Sequence, residues 1–77
     1  MTEEDYIKAT EFAQGVVDST PKANLEDHWV QFSDTIDINI WHDYSPIYAT
    51  AYPIRTDEDG NRYTDTQVYC TLNVDEG

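Results

Sequence analysis

An α+β fold, with one N-terminal helix packed on a three- to four-stranded antiparallel sheet in two layers, follows from three features of the sequence. The first eighteen residues carry an apolar stripe at three- and four-residue steps. From His28 onward apolar and polar residues alternate with a period of two. Proline and glycine fall where those periods break. A chain of 77 residues has room for a single small acidic domain, residues 1–77, with one core. Such a core buries about 60–65% of the surface the unfolded chain exposes, so assembly as a homodimer would help it.

The helix is expected over residues 3–18. Thr2 is placed to cap it, and Glu3, Glu4 and Asp5 of the first turn face the positive end of the helix dipole. Tyr6, Ala9, Phe12, Ala13, Val16 and Val17 form its apolar stripe. Phe12, Ala13 and Val16 are expected to pack on strand residues Ile36, Ile38 and Ile40. On the other side Glu4, Glu11 and Asp18 recur every seven residues as an acidic stripe interrupted by Lys8. Pro21 ends the helix, because the residue before a proline avoids helical geometry. Residues 22–27 read as a polar connection.

The strands begin at His28. Val30 and Phe32 alternate with Gln31 and Ser33, and Ile36, Ile38 and Ile40 alternate with Asp37, Asn39 and Trp41. Asp43-Tyr44-Ser45-Pro46 reads as a turn, followed by a strand over residues 47–55. Pro53 within it cannot donate to a ladder, which predicts an edge strand or a bulge. The Asp-Gly-Asn core of residues 56–61 predicts a hairpin turn. A last strand is expected over residues 62–74, with Val68, Cys70, Leu72 and Val74 inward.

An antiparallel sheet covered on one side leaves its other side to solvent. That face would carry Asp37, Asn39, Trp41, Asp43, Tyr48, Thr50, Tyr52, Asp65, Gln67 and Tyr69. Acids interleaved with aromatics suit a binding surface, since Tyr and Trp supply contact area at low entropic cost. Ordinary strand propensity accounts for the same residues without any partner.

Charge narrows the partner. Sixteen acidic side chains against four basic ones give a net charge of −12, well beyond the ~2–8 charges that keep a small domain soluble. Self-repulsion at this density opposes folding, so the excess points to a strongly basic partner. Crowded carboxylates also predict stability that rises with salt and on moderate acidification. Direct nucleic-acid binding is disfavoured, because Lys8, Lys22, Arg55 and Arg62 are scattered. A membrane partner is disfavoured by the same repulsion and by the lack of any apolar run near the roughly 18 residues that span a bilayer. Ten aromatics nonetheless argue for a packed domain over a disordered acidic chain. Cys70 is the single cysteine and residues 1–5 have no signal-peptide character, which predicts a cytoplasmic chain.

Same-side residues on a strand lie about 6.6 Å apart. A row of sheet-face carboxylates, continued by Asp57, Glu58 and Asp59 of the turn and by the helix stripe, would present charges at steps comparable to those of phosphates. The expected partner-binding residues are therefore Asp37, Trp41, Asp43, Tyr48, Tyr52, Asp57, Glu58, Asp59 and Asp65. No cofactor or metal is expected. With Gly60 at the glycine position of an EF-hand loop, Arg55 would take its first position and Thr66 its twelfth, losing the bidentate glutamate. His28, His42 and Cys70 share no zinc-type spacing, and Cys70 suits a core position. No Gly-rich phosphate loop, Gly-x-Ser-x-Gly elbow or His-Glu-x-x-His occurs, so an enzyme is not expected.

In size, acidity and lack of catalytic residues the whole chain resembles the small phage-encoded inhibitors of host nucleic-acid machinery: antirestriction proteins, anti-CRISPR proteins and the uracil-DNA glycosylase inhibitor class. The resemblance is one of composition and rests on no shared motif. It implies a DNA-mimic inhibitor, a viral protein acting in the host cytoplasm, that blocks the groove of a basic nucleic-acid-binding protein. The alternative is an acidic adaptor or assembly subunit that docks through its Tyr/Trp face or adds a strand at an open edge.

Overall fold

In the computed structural model, which describes residues 1–42 and 46–75, the helix α1 spans Glu3–Ser19. Thr2 and Asp5 start it reciprocally. The Thr2 hydroxyl accepts the Asp5 N–H at 3.1 Å and the Asp5 carboxylate accepts the Thr2 N–H at 3.5 Å. At the other end Thr20 is extended (φ −118°, ψ 130°) ahead of Pro21, as steric conflict with the proline ring requires.

Ala9, Ala13 and Val17, at four-residue steps, are the buried line of α1. Of the expected contacts, Ala13 lies in this line and Val16 packs partly buried against the core beside it, whereas Phe12 does not. The alanines bring little bulk between helix and sheet, and Tyr6 and Val16 pack partly buried against the same core. Phe12 stays 38% exposed, its ring centroid 5.5 Å from that of Phe32 at the margin of the core. A 3-10 turn, Lys22–Asn24, follows the helix. The connection is not wholly polar, because Leu25 is among the largest fully buried side chains.

Among the described residues five strands make one antiparallel sheet: β1 His28–Gln31, β2 Ile36–His42, β3 Ile47–Thr56, β4 Arg62–Thr64 and β5 Cys70–Leu72. The order is β1-β2-β3, with β4 and β5 both pairing along the remaining side of β3. Beneath the helix, Ile40 pairs with Ala49 and Ile38 with Ala51, and all four are buried. Large side chains on β2 thus face small ones on β3, and Leu72, paired with Ala49, closes the core from β5.

Pro53 explains why the last strand is two strands. It lies in an interior strand, not at an edge. The Ile54 N–H points toward β2 and bonds to Thr35 O at 2.8 Å, so the Pro53 nitrogen, one residue back, points the other way. There it has no proton to offer, and the neighbouring chain leaves the ladder. Ile54 pairs with Thr64 and Ala51 with Cys70, so residues 65–69 of the departing chain oppose only Tyr52 and Pro53. The Asp65 N–H bonds to Pro53 O at 2.9 Å where the excursion begins. Val68, expected inward, sits in this excursion and is 51% exposed. Cys70 is half-buried against the core, and Leu72 is fully in it.

The β3–β4 hairpin closes as its sequence predicts. Asp57 Oδ1 accepts the N–H groups of Asp59 and Asn61, both at 2.9 Å, and Gly60 takes φ 84°, a left-handed conformation natural to glycine.

Candidate functional site

Strand alternation that buries Ile38 and Ile40 under α1 turns Asp37, Asn39 and Trp41 to the uncovered face. Register then aligns three rows there. Gln31, Asp37 and Tyr52 form one, Trp29, Asn39, Thr50 and Thr71 the next, and Trp41 with Tyr48 the third. Trp41 and Tyr48 stack with ring centroids 4.4 Å apart and planes at 25°. Trp29 and Tyr52 meet diagonally across β2 at 5.5 Å and 36°. Trp29 is 42% exposed and Trp41 and Tyr48 are each 39% exposed, so the rings present area to solvent while packing on one another.

Polar groups between the pairs are held in place. Asn39, buried, donates from Nδ2 to Asp27 Oδ1 at 3.0 Å, and Asp27 reaches it from a left-handed backbone position, φ 55°. Asp37 Oδ2 accepts the Thr64 hydroxyl at 3.1 Å. Among the described residues the expected row of sheet carboxylates reduces to Asp37, with Asp27 beside it through Asn39.

The predicted set therefore divides by position. Trp41, Tyr48, Tyr52 and Asp37 share the sheet face, while Asp43 lies outside the described residues. Asp57, Glu58 and Asp59 crown the β3–β4 hairpin, nine residues along the chain from Tyr48 and so about 30 Å away along the strand direction. Asp65, expected on the sheet face, lies in the 65–69 excursion instead. There it accepts Arg55 Nε at 2.6 Å and the Gln67 N–H at 3.1 Å. The Arg55 guanidinium, helped by that N–H, holds the Asp65 carboxyl below the usual carboxylate range. Trp29 and Asp27 belong to the face but were missing from the predicted set. Trp29 has the same strand parity as Gln31, a signal legible in the sequence, whereas Asp27 precedes the strand and arrives through the turn.

The cations are engaged at home. Lys8 pairs with Glu4 at 2.9 Å, Arg55 with Asp65, and Arg62 donates to the Asp34 carbonyl. Glu3, Glu11, Glu26, Glu58 and Asp59 by contrast present exposed carboxylates without an ion pair among the described residues.

A concavity borders the aromatic face at Tyr52. A groove of about 800 Å³ runs between the start of α1 and the ladder break, lined by Met1, Ile36, Pro53, Ile54, Val68 and Tyr69 among others. Of the charged groups on its wall, Asp5 serves the helix cap and Arg55 is held by Asp65. No cluster of three or more His, Cys, Asp or Glu able to hold a metal ion occurs among the described residues. Both ring nitrogens of His42 are buried with no hydrogen-bond partner there. No helix among the described residues is long and apolar enough to cross a membrane. In comparisons with known proteins, the chain matches no protein family, no curated sequence and no solved structure.

Proposed function

We propose that this chain is a non-enzymatic inhibitor, of the antirestriction or anti-CRISPR kind, whose exposed carboxylates stand in for phosphates and block the basic groove of a nucleic-acid-binding protein. The observation that carries this reading is the uncompensated charge. Sixteen acids against four bases leave a net charge of −12 even with every cation paired to an acid. Spread over a long axis of 41 Å, that charge is on the order of one per 3–4 Å, near the ~3.4 Å per phosphate of a single nucleic-acid strand. The proposed partner is a cytoplasmic protein, with neither nucleic acid nor membrane bound directly, since both repel this surface.

A second reading, an adaptor docking through aromatic contacts, is favoured by the two exposed ring pairs on the sheet face. Association kinetics separate the two. Glu11→Gln, Glu26→Gln, Glu58→Gln and Asp59→Asn together remove four charges without touching the helix cap or the hairpin turn bonds. For a captured basic partner at low salt, phosphate mimicry predicts association slowed by about tenfold or more, with dissociation little changed. Unaltered association would leave the adaptor reading in its place.

A further inference from the structure

We propose that the two aromatic pairs on the uncovered sheet face are receptors for arginine side chains of the basic partner. The inference rests on the proposed occupation of a basic groove for the identity of that partner. Trp41 stacked on Tyr48, and Trp29 tilted against Tyr52, each leave part of their rings open to solvent. Asp37 and Asp27 stand among them, each already accepting one bond from the chain, from Thr64 and Asn39 respectively. Each carboxylate keeps lone-pair sites for more. An indole face beside a carboxylate is what a guanidinium satisfies on both counts. The planar cation stacks on the ring, and its N–H groups donate in-plane to the acid. A lysine ammonium has no plane to stack and is more strongly hydrated, so it uses such a site less well.

Charge complementarity selects this occupant. A second copy of the chain would carry a net charge of −12 of its own and be repelled as a whole. An apolar partner would strip water from Asp37 and Asp27 without supplying a counter-charge, which is costly. A partner bearing arginines answers both the rings and the acids, while the peripheral carboxylates on α1 and the hairpin supply the long-range attraction.

The test uses hexa-arginine and hexa-lysine peptides of equal charge, titrated into the full chain by calorimetry at one ionic strength, with tryptophan emission followed in parallel. The expected result is that hexa-arginine binds about three- to tenfold more tightly and alone shifts the indole emission. Trp29→Leu and Trp41→Leu, each checked for a native circular dichroism spectrum and melting transition, should erase the preference while leaving hexa-lysine affinity unchanged. Equal affinities with unmoved emission, or a preference that survives both substitutions, would overturn the proposal. So would a sedimenting dimer that buries Trp29 and Trp41, since the occupant would then be a second copy. Failure of the groove reading looks different: arginine preference persists, yet nucleic acid does not displace the chain from its captured partner.

Discussion

Single residues decide both stability and charge in this domain. Asp65 is the clearest case. Its carboxyl is held down by Arg55, so the ion pair contributes stability that is fully present above the unfolded-state carboxylate value of about 3.9. That contribution is lost as pH falls through the lower folded-state value. This is opposite to the expectation that crowding raises carboxylate pKa values, because at Asp65 a specific cation outweighs the general repulsion. Asp65→Asn should flatten the dependence of unfolding free energy on pH below about pH 4, measured by denaturant titration across that range. An unchanged slope would mean that the pair is absent in solution. Asp57 acts locally instead, accepting two backbone N–H groups of its turn, and Asp57→Ala should cost about 1 kcal/mol in the same assay. The roles of Asp57 and Gly60 were legible as turn chemistry. The neutralisation of Asp65 was not, since it depends on a chain excursion that brings position 65 beside Arg55 across a hairpin.

At the scale of elements, helix and sheet meet through small residues. Ala13→Leu forces a branched side chain between α1 and the Ile38/Ile40 surface and should destabilise by about 1–3 kcal/mol, although leucine is nearly as good a helix former as alanine. Ile38→Asp buries an unpaired charge at a position with no exposure and should abolish the cooperative thermal transition. A folded Ile38→Asp variant would mean the sheet is inside out. The elements themselves were readable from periodicity: α1 ends within one residue of its expected boundary, and Ile38 and Ile40 of β2 are buried with Ala49 and Ala51 of β3 as alternation indicates. Periodicity failed where one residue changed the partner's path. Residues 62–74 alternate as a single strand would, but Pro53 across the ladder withholds a donor, and the chain breaks into β4 and β5. Leu25 was missed because one apolar residue in a polar stretch carries no period at all.

For the whole molecule, surplus negative charge matters most, both as a destabilising self-repulsion and as the proposed means of recognition. Screening should raise the melting temperature between low and moderate ionic strength; each 1 kcal/mol gained corresponds to about 4–8 °C in a domain of this size. A melting temperature indifferent to salt would mean the acids are already too far apart to interact. Composition alone fixed the net charge, but not the arrangement of the surface. The sequence suggests acids and aromatics mixed on one face, whereas the structure gathers the aromatic rings on the sheet and places most unpaired carboxylates on the helix and hairpin. The central claim is occupation of a nucleic-acid groove, and the most direct measurement is a competition titration. A basic protein captured by the immobilised chain from nuclease-treated lysate is challenged with increasing DNA or RNA, single-stranded and duplex, at fixed ionic strength. Groove occupation predicts that nucleic acid releases the partner in a saturable way, at concentrations set by the partner's own affinity for it. A partner retained at saturating nucleic acid of every form would contradict the claim.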